Sequence, residues 1–192
     1  HIARMPLGEP FTPVPVRSLT AGQEPNAGRS LVAAGGFLYW AHAGNKIFRA
    51  PMDGTGAIET VADTTALPTD LMVVGNYVYW TDATGVWTIN VTCGALPCTG
   101  DRQQFAPFGA NTQGHGLLYQ SLGGVRGNYR VYWVERVAGG ANSTYTIRYR
   151  SCNQLTICTL DDPLTFYGAT VNWSIGQLAQ AAGNVYWTEL DN

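Results

Sequence analysis

The sequence predicts an all-β domain in which one four-stranded unit recurs four times. Three observations carry this. Four segments end in the same aromatic pair, Tyr39-Trp40, Tyr79-Trp80, Tyr132-Trp133 and Tyr186-Trp187, each preceded by an apolar residue with Gly or Asn just upstream. A short run rich in apolar residues lies ahead of every pair: Leu31 to Ala34, Leu71 to Val74, Leu117 to Tyr119 and Leu178 to Ala181. The tryptophans are 40, 53 and 54 residues apart, close to the roughly 40–50 residues of a four-stranded repeat.

Within a unit the apolar run is the first strand and the Tyr-Trp segment the second. A third follows at Lys46 to Arg49, Val86 to Ile89 and Thr144 to Tyr149, and a more polar fourth closes the unit, as at Ile58 to Val61. Neighbouring strand residues point to opposite faces. A second strand with Tyr and Trp side by side must therefore bury both faces. Blades of a β-propeller meet that demand, whereas a two-sheet sandwich would leave one aromatic in water four times over. The expected blades span about 28–66, 67–108, 115–168, and 175–192 joined with 1–20, in one domain covering 1–192. The last assignment rests on Ile2 to Gly8, which resembles the third strand and turn from Ile47 to Gly54. Thr12 to Leu19 then supplies a fourth strand, kept at an edge by Pro13 and Pro15. The N- and C-terminal strands are thus expected to share one blade and remove exposed edges.

Composition narrows the class further. Of 192 residues, 45% are hydrophobic and only 12% charged, with a net charge of −2. No apolar run is long enough to span a membrane, and no basic stripe points to nucleic acid. One Lys, Lys46, against ten Arg, with abundant Ala and Gly, hints at a GC-rich bacterial genome. His at position 1 and the lack of a leader pattern suggest a processed chain.

Tyr79-Trp80-Thr81-Asp82 is a literal YWTD sequence. With the repeat around it, the chain resembles the YWTD β-propellers of the LDL-receptor type, and secreted myxobacterial versions with short Cys hairpins in particular. The other repeats depart from the motif, reading Tyr39-Trp40-Ala41-His42, Tyr132-Trp133-Val134-Glu135 and Tyr186-Trp187-Thr188-Glu189. The family usually has six blades and four are counted here, so the ring is either small, formed by two chains, or part of something larger. The resemblance implies that the acidic position ending the motif is structural, bonding loop backbone between repeats.

Cys93 and Cys98 bracket one hairpin, and Cys152 and Cys158 the equivalent hairpin of the next unit. Local disulfides are expected, which points to an oxidising compartment. A four-thiolate zinc site is the alternative, at odds with the spacing and with pairs on different blades. His42, Asp82, Glu135 and Glu189 recur at matched positions, but the second strand lies about 4.8 Å outside the strand nearest the axis. That places them too far apart for one cation. No cofactor or metal is expected.

Propellers bind at loop faces and at the channel mouth. Gln120 and Gln180 interrupt the innermost strands and are candidates to line the channel. Asn111 and His115 lie in a loop entering the third blade. Gly- and Asn-rich stretches at Pro107 to Gly116, Gly123 to Tyr129 and Val137 to Asn142 read as insertions that either bind or are merely tolerated. Phe166, Tyr167 and Trp173 either stack on a ligand or pack between blades. No nucleophile elbow, phosphate loop or zinc-protease motif occurs. The expectation is a secreted, periplasmic or cell-surface module that is not an enzyme and binds protein at a loop face. A glycan-binding lectin is the alternative, a propeller hydrolase or lyase a remoter one, and self-association is open.

Overall fold

The computed structural model describes residues 2–4, 14–25, 31–92, 96–98, 102–123, 128–139, 142–152, 158, 164–171 and 173–191. Sixteen strands and no helix occur among them. A short pair, β1 (Ile2–Arg4) and β2 (Val14–Arg17), precedes three four-stranded antiparallel sheets. Unit I comprises β3 (Leu31–Ala34), β4 (Phe37–His42), β5 (Lys46–Pro51) and β6 (Glu59–Asp63). Unit II comprises β7 (Asp70–Val74), β8 (Tyr77–Asp82), β9 (Gly85–Asn90) and β10 (Gln103–Pro107). Unit III comprises β11 (Thr112–Gly123), β12 (Asn128–Gly139), β13 (Asn142–Cys152) and β14 (Leu164–Val171). A two-stranded sheet, β15 (Trp173–Ala181) with β16 (Asn184–Asp191), follows.

The units stack in chain order through their innermost strands: β3 touches β7, β7 touches β11, and β11 touches β15. The Tyr-Trp alternation works as the pleat dictates. Tyr39 of unit I joins Leu71, Val78 and Trp80 of unit II in one core. Tyr79 joins Val131 and Trp133 of unit III, and Tyr132 joins Ile175 and Leu178 of the β15–β16 sheet. The Tyr face of each unit thus covers the Trp face of the next. Trp40, Trp80 and Trp133 have no exposed surface. This all-β array fits a propeller.

The third and fourth strands carry a shared irregularity. A β-bulge interrupts their pairing between Ile47 and Phe48 in unit I, opposite Gln104/Ala106 at Val86 and Trp87 in unit II, and between Ile147 and Arg148 in unit III. The β1–β2 pair has it too, between Ile2 and Ala3. Ile2 matches Ile47 in the sequence repeat, so β1–β2 is a third-and-fourth-strand pair in backbone geometry as well as in sequence.

Two expectations need correcting. The shared terminal blade is not assembled, and the sheets do not close. β1–β2 and β15–β16 are separate two-stranded sheets, and β15 does not pack on β3 as the other inner strands pack on one another. The reason is where each half docks. Val16 and Leu19 lie against Leu38, Trp40, Phe48 and Ala50 of unit I, and the Trp40 indole donates to the Gln23 carbonyl at 2.7 Å. β15–β16 is held at the far end, against unit III. The second correction concerns the supposed insertions. Thr112 to Gly116 and Val137 to Gly139 are strand, because the β11–β12 pairing runs on to Thr112 opposite Val137. Unit III is long because its strands are long.

Candidate binding surface and the seams that frame it

The polar position after each Tyr-Trp serves the fold. Asp82, fully buried, accepts from the Thr84 amide at 2.7 Å, the Thr84 hydroxyl at 2.6 Å and the Trp87 indole at 3.2 Å. Its other oxygen lies 3.5 Å from the Thr65 hydroxyl in the connection from unit I. His42 Nδ1 accepts from the Gly44 amide at 2.9 Å. Glu135 and Glu189 accept from the indoles of Trp133 and Trp187 at 2.9 and 3.1 Å. Side chains so engaged close turns and satisfy buried N–H groups. Among the described residues, no group of three His, Cys, Asp or Glu is placed to hold a metal.

Where the fourth strand of one unit leads into the first of the next, a polar latch joins the units. Asp70 accepts from its neighbour Leu71 and, across the II/III seam, from the Leu117 amide, both at 2.8 Å. Burial pushes the Asp70 carboxyl above its ordinary range, and these two N–H groups oppose the shift. Thr69 donates to the Gly114 carbonyl at 2.7 Å. Gly116 makes the latch possible: its φ of +66° belongs to the left-handed region, and a Cβ there would meet Val134 at 3.1 Å. His115 repeats the device one seam on, its Nε2 lying 2.7 Å from the Ile175 carbonyl. Asp70 and Thr69 went unnoticed in the sequence, although Asp70 stands just before an inner apolar run as His115 does before Gly116-Leu117.

The other expected site residues do not converge. Gln120 is buried, accepting from the Tyr132 hydroxyl at 2.7 Å. Gln180 is exposed on β15. Asn111 is exposed in a left-handed conformation, φ +60°, and its carbonyl accepts from Ala138. Cys152 and Cys158 are joined. Cys98 is disulfide-bonded, while Cys93 lies outside the described residues. Tyr167 packs against Trp187, ring centroids 5.1 Å apart; the side chains of Phe166 and Trp173 lie outside the description.

At the opposite ends of these inner strands, where first and second strands are joined, tyrosines gather at the II/III seam. The Tyr79 and Tyr129 hydroxyls are 2.9 Å apart, and Tyr119 packs on Tyr129 at 5.5 Å. Burial raises the pKa of both hydrogen-bonded phenols, so they stay neutral donors and acceptors at physiological pH. Tyr77, 37% exposed, begins β8 on this side, and Leu122, 43% exposed, lies near the end of β11. This aromatic patch, an apolar body with polar tips, suits contact with a partner surface.

The sequence matches no family model and no curated protein. Among solved structures, the chain is similar to the computationally designed Ika4 protein, with a TM-score of 0.54 and 15% identity over 92% of this chain and 98% of that one. It is also aligned with BamB from Moraxella catarrhalis, at a TM-score of 0.39 and 10% identity, covering 88% of this chain and 58% of that one. The first likeness is one of fold alone.

Proposed function

We propose that this chain is a non-catalytic binding module of the YWTD β-propeller kind that presents its tyrosine-bearing hairpin face to a protein partner. The observation that carries the reading is the division of labour along the inner strands. Described carboxylates and histidines at the matched repeat positions are consumed in turns and latches, whereas Tyr77 and Leu122 are exposed at the hairpin end, beside the half-buried Tyr119 and Tyr129. The sheet begun by β15–β16 is, in this reading, completed by a β1–β2 pair, giving a whole number of blades. The Cys152–Cys158 disulfide supports an oxidising setting, secreted, periplasmic or cell-surface, and the Arg-over-Lys composition a bacterial one. Among the described residues, no helix is long and apolar enough to cross a membrane.

The test pairs a glycan array and a hydrolase and lyase substrate panel with protein capture from the culture supernatant of the source organism. Expected is a captured protein lost on Tyr77→Ala with Leu122→Ala, and neither glycan binding nor turnover. Glycan binding by the chain would replace this reading with the lectin, and turnover would replace it with an enzyme.

A further inference from the structure

The two ends of the array mirror each other. At the II end of the I/II seam Leu71 is 5% exposed, and Tyr39 covers it at 4%. At the last seam Leu178 and Tyr132 are 8% and 2% exposed. The matched residues that have no neighbouring unit are Leu31, 49% exposed on the Trp face of unit I, and Tyr186, 51% exposed on the Tyr face of β16. Leu190, two pleats along from Tyr186, is 54% exposed. Each end also has a free strand edge. Among the described residues, β16 pairs only with β15, and β1 only with β2.

We propose that these two ends are complementary halves of one self-association surface, so that a second copy of this chain lays its β1 along β16 and receives β16 along its own β1. The occupant is identified by the bulge. β1–β2 carries the interruption found in every third-and-fourth-strand pair of units I to III, and the edge of β16 is a second strand lacking a third. The repeat sets the register. Trp40 lies opposite Phe48 and Tyr39 opposite Arg49, which places Trp187 opposite Ala3, Tyr186 opposite Arg4 and Thr188 opposite Ile2.

A second copy fits better than closure within one chain. β1–β2 is already seated on unit I and β15–β16 on unit III. Bringing them together inside one chain requires more curvature at seams whose tryptophans are fully buried, and such packing resists deformation. Two arcs related by a twofold axis close both joints at once, covering both exposed faces and pairing both edges, with every internal seam unchanged. The proposal is independent of what the hairpin face binds.

Sedimentation equilibrium of the full chain should give twice the chain mass; a monomer at every concentration, or a ladder of larger species, overturns the proposal. Ile2→Cys with Thr188→Cys, oxidised, should give a covalent dimer on a non-reducing gel. An internal link within one chain, or no link, overturns it equally. Tyr186→Asp, at a site exposed in the single chain, should leave the circular dichroism spectrum intact and weaken the dimer about thirtyfold or more, as loss of a central aromatic anchor does. Unchanged dimerisation would refute the assignment of β16 as the docking edge.

Discussion

The internal seams and the terminal faces are built from the same residues and differ in what stands opposite. Tyr39, Tyr79 and Tyr132 are 4%, 2% and 2% exposed, and Tyr186 is 51% exposed. The second strand has the same motif in all four places. Burial in a repeat array is therefore a property of the joint between units, and a repeat contributes its stability only when its neighbour is present. The polar chemistry follows the same rule. Asp70 and His115 latch successive units only where another inner strand supplies an amide or a carbonyl.

The largest expected contrast lies between the tryptophans. Trp80→Ala removes a fully buried ring stacked on Trp87 at 6.4 Å, and should cost about 3–5 kcal/mol in urea melts. Trp187 is half-buried, held by Tyr167 and Glu189. Its replacement should cost about 1–2 kcal/mol, in proportion to the smaller area taken from water. Equal losses in the isolated chain would mean that the terminal sheet is covered as fully as the internal ones.

A sharper contrast uses one leucine position. Leu71→Ala empties a site in the I/II seam and should cost about 2–5 kcal/mol. Leu31→Ala, at the matched but uncovered site, should fall within about 0.5 kcal/mol of the parent under dilute conditions. If Leu31 proves as costly as Leu71 there, its face is already covered within a single chain, and the distinction between internal seam and free end fails.

Much of this was legible in the sequence because it depends on side-chain type and period. The Tyr-Trp segments, the leucines ahead of them and the kinship of Ile2 to Gly8 with Ile47 to Gly54 gave strand order and the faces each strand must bury. Two things were not legible. The bulge shared by β1–β2 and the complete units is a backbone feature without its own residue signature, since Phe48, Trp87, Arg148 and Ala3 occupy its matched position. Curvature was also hidden: it arises from packing across the seams, so the count of units did not reveal that the ends fail to meet. At the candidate site, Gln120 and His115 looked available because an isolated polar residue on an inner strand reads the same whether it faces a channel or the Tyr132 hydroxyl. The tyrosine patch escaped notice because Tyr119 and Tyr129 stand on neighbouring strands of unit III and meet Tyr79 of unit II only across the II/III seam.

The smallest expected effect tests whether the latch strengthens an internal seam at every pH. The Asp70 carboxyl is shifted upward by burial, against the pull of the Leu117 and Leu71 amides. A carboxyl whose folded pKa is raised binds its proton more tightly in the folded chain than in the unfolded one. Its stabilising contribution is then fully present below the ordinary aspartate range and is lost as pH rises through the folded value. Asp70→Asn removes the titration while retaining one carbonyl oxygen for the amides. The stability of the parent relative to Asp70→Asn, measured by urea melts at successive pH values, should therefore decline from acid toward neutral pH and then level off. A relative stability that rises with pH would show that the amides outweigh burial and that the II/III seam holds its carboxylate more firmly than water does.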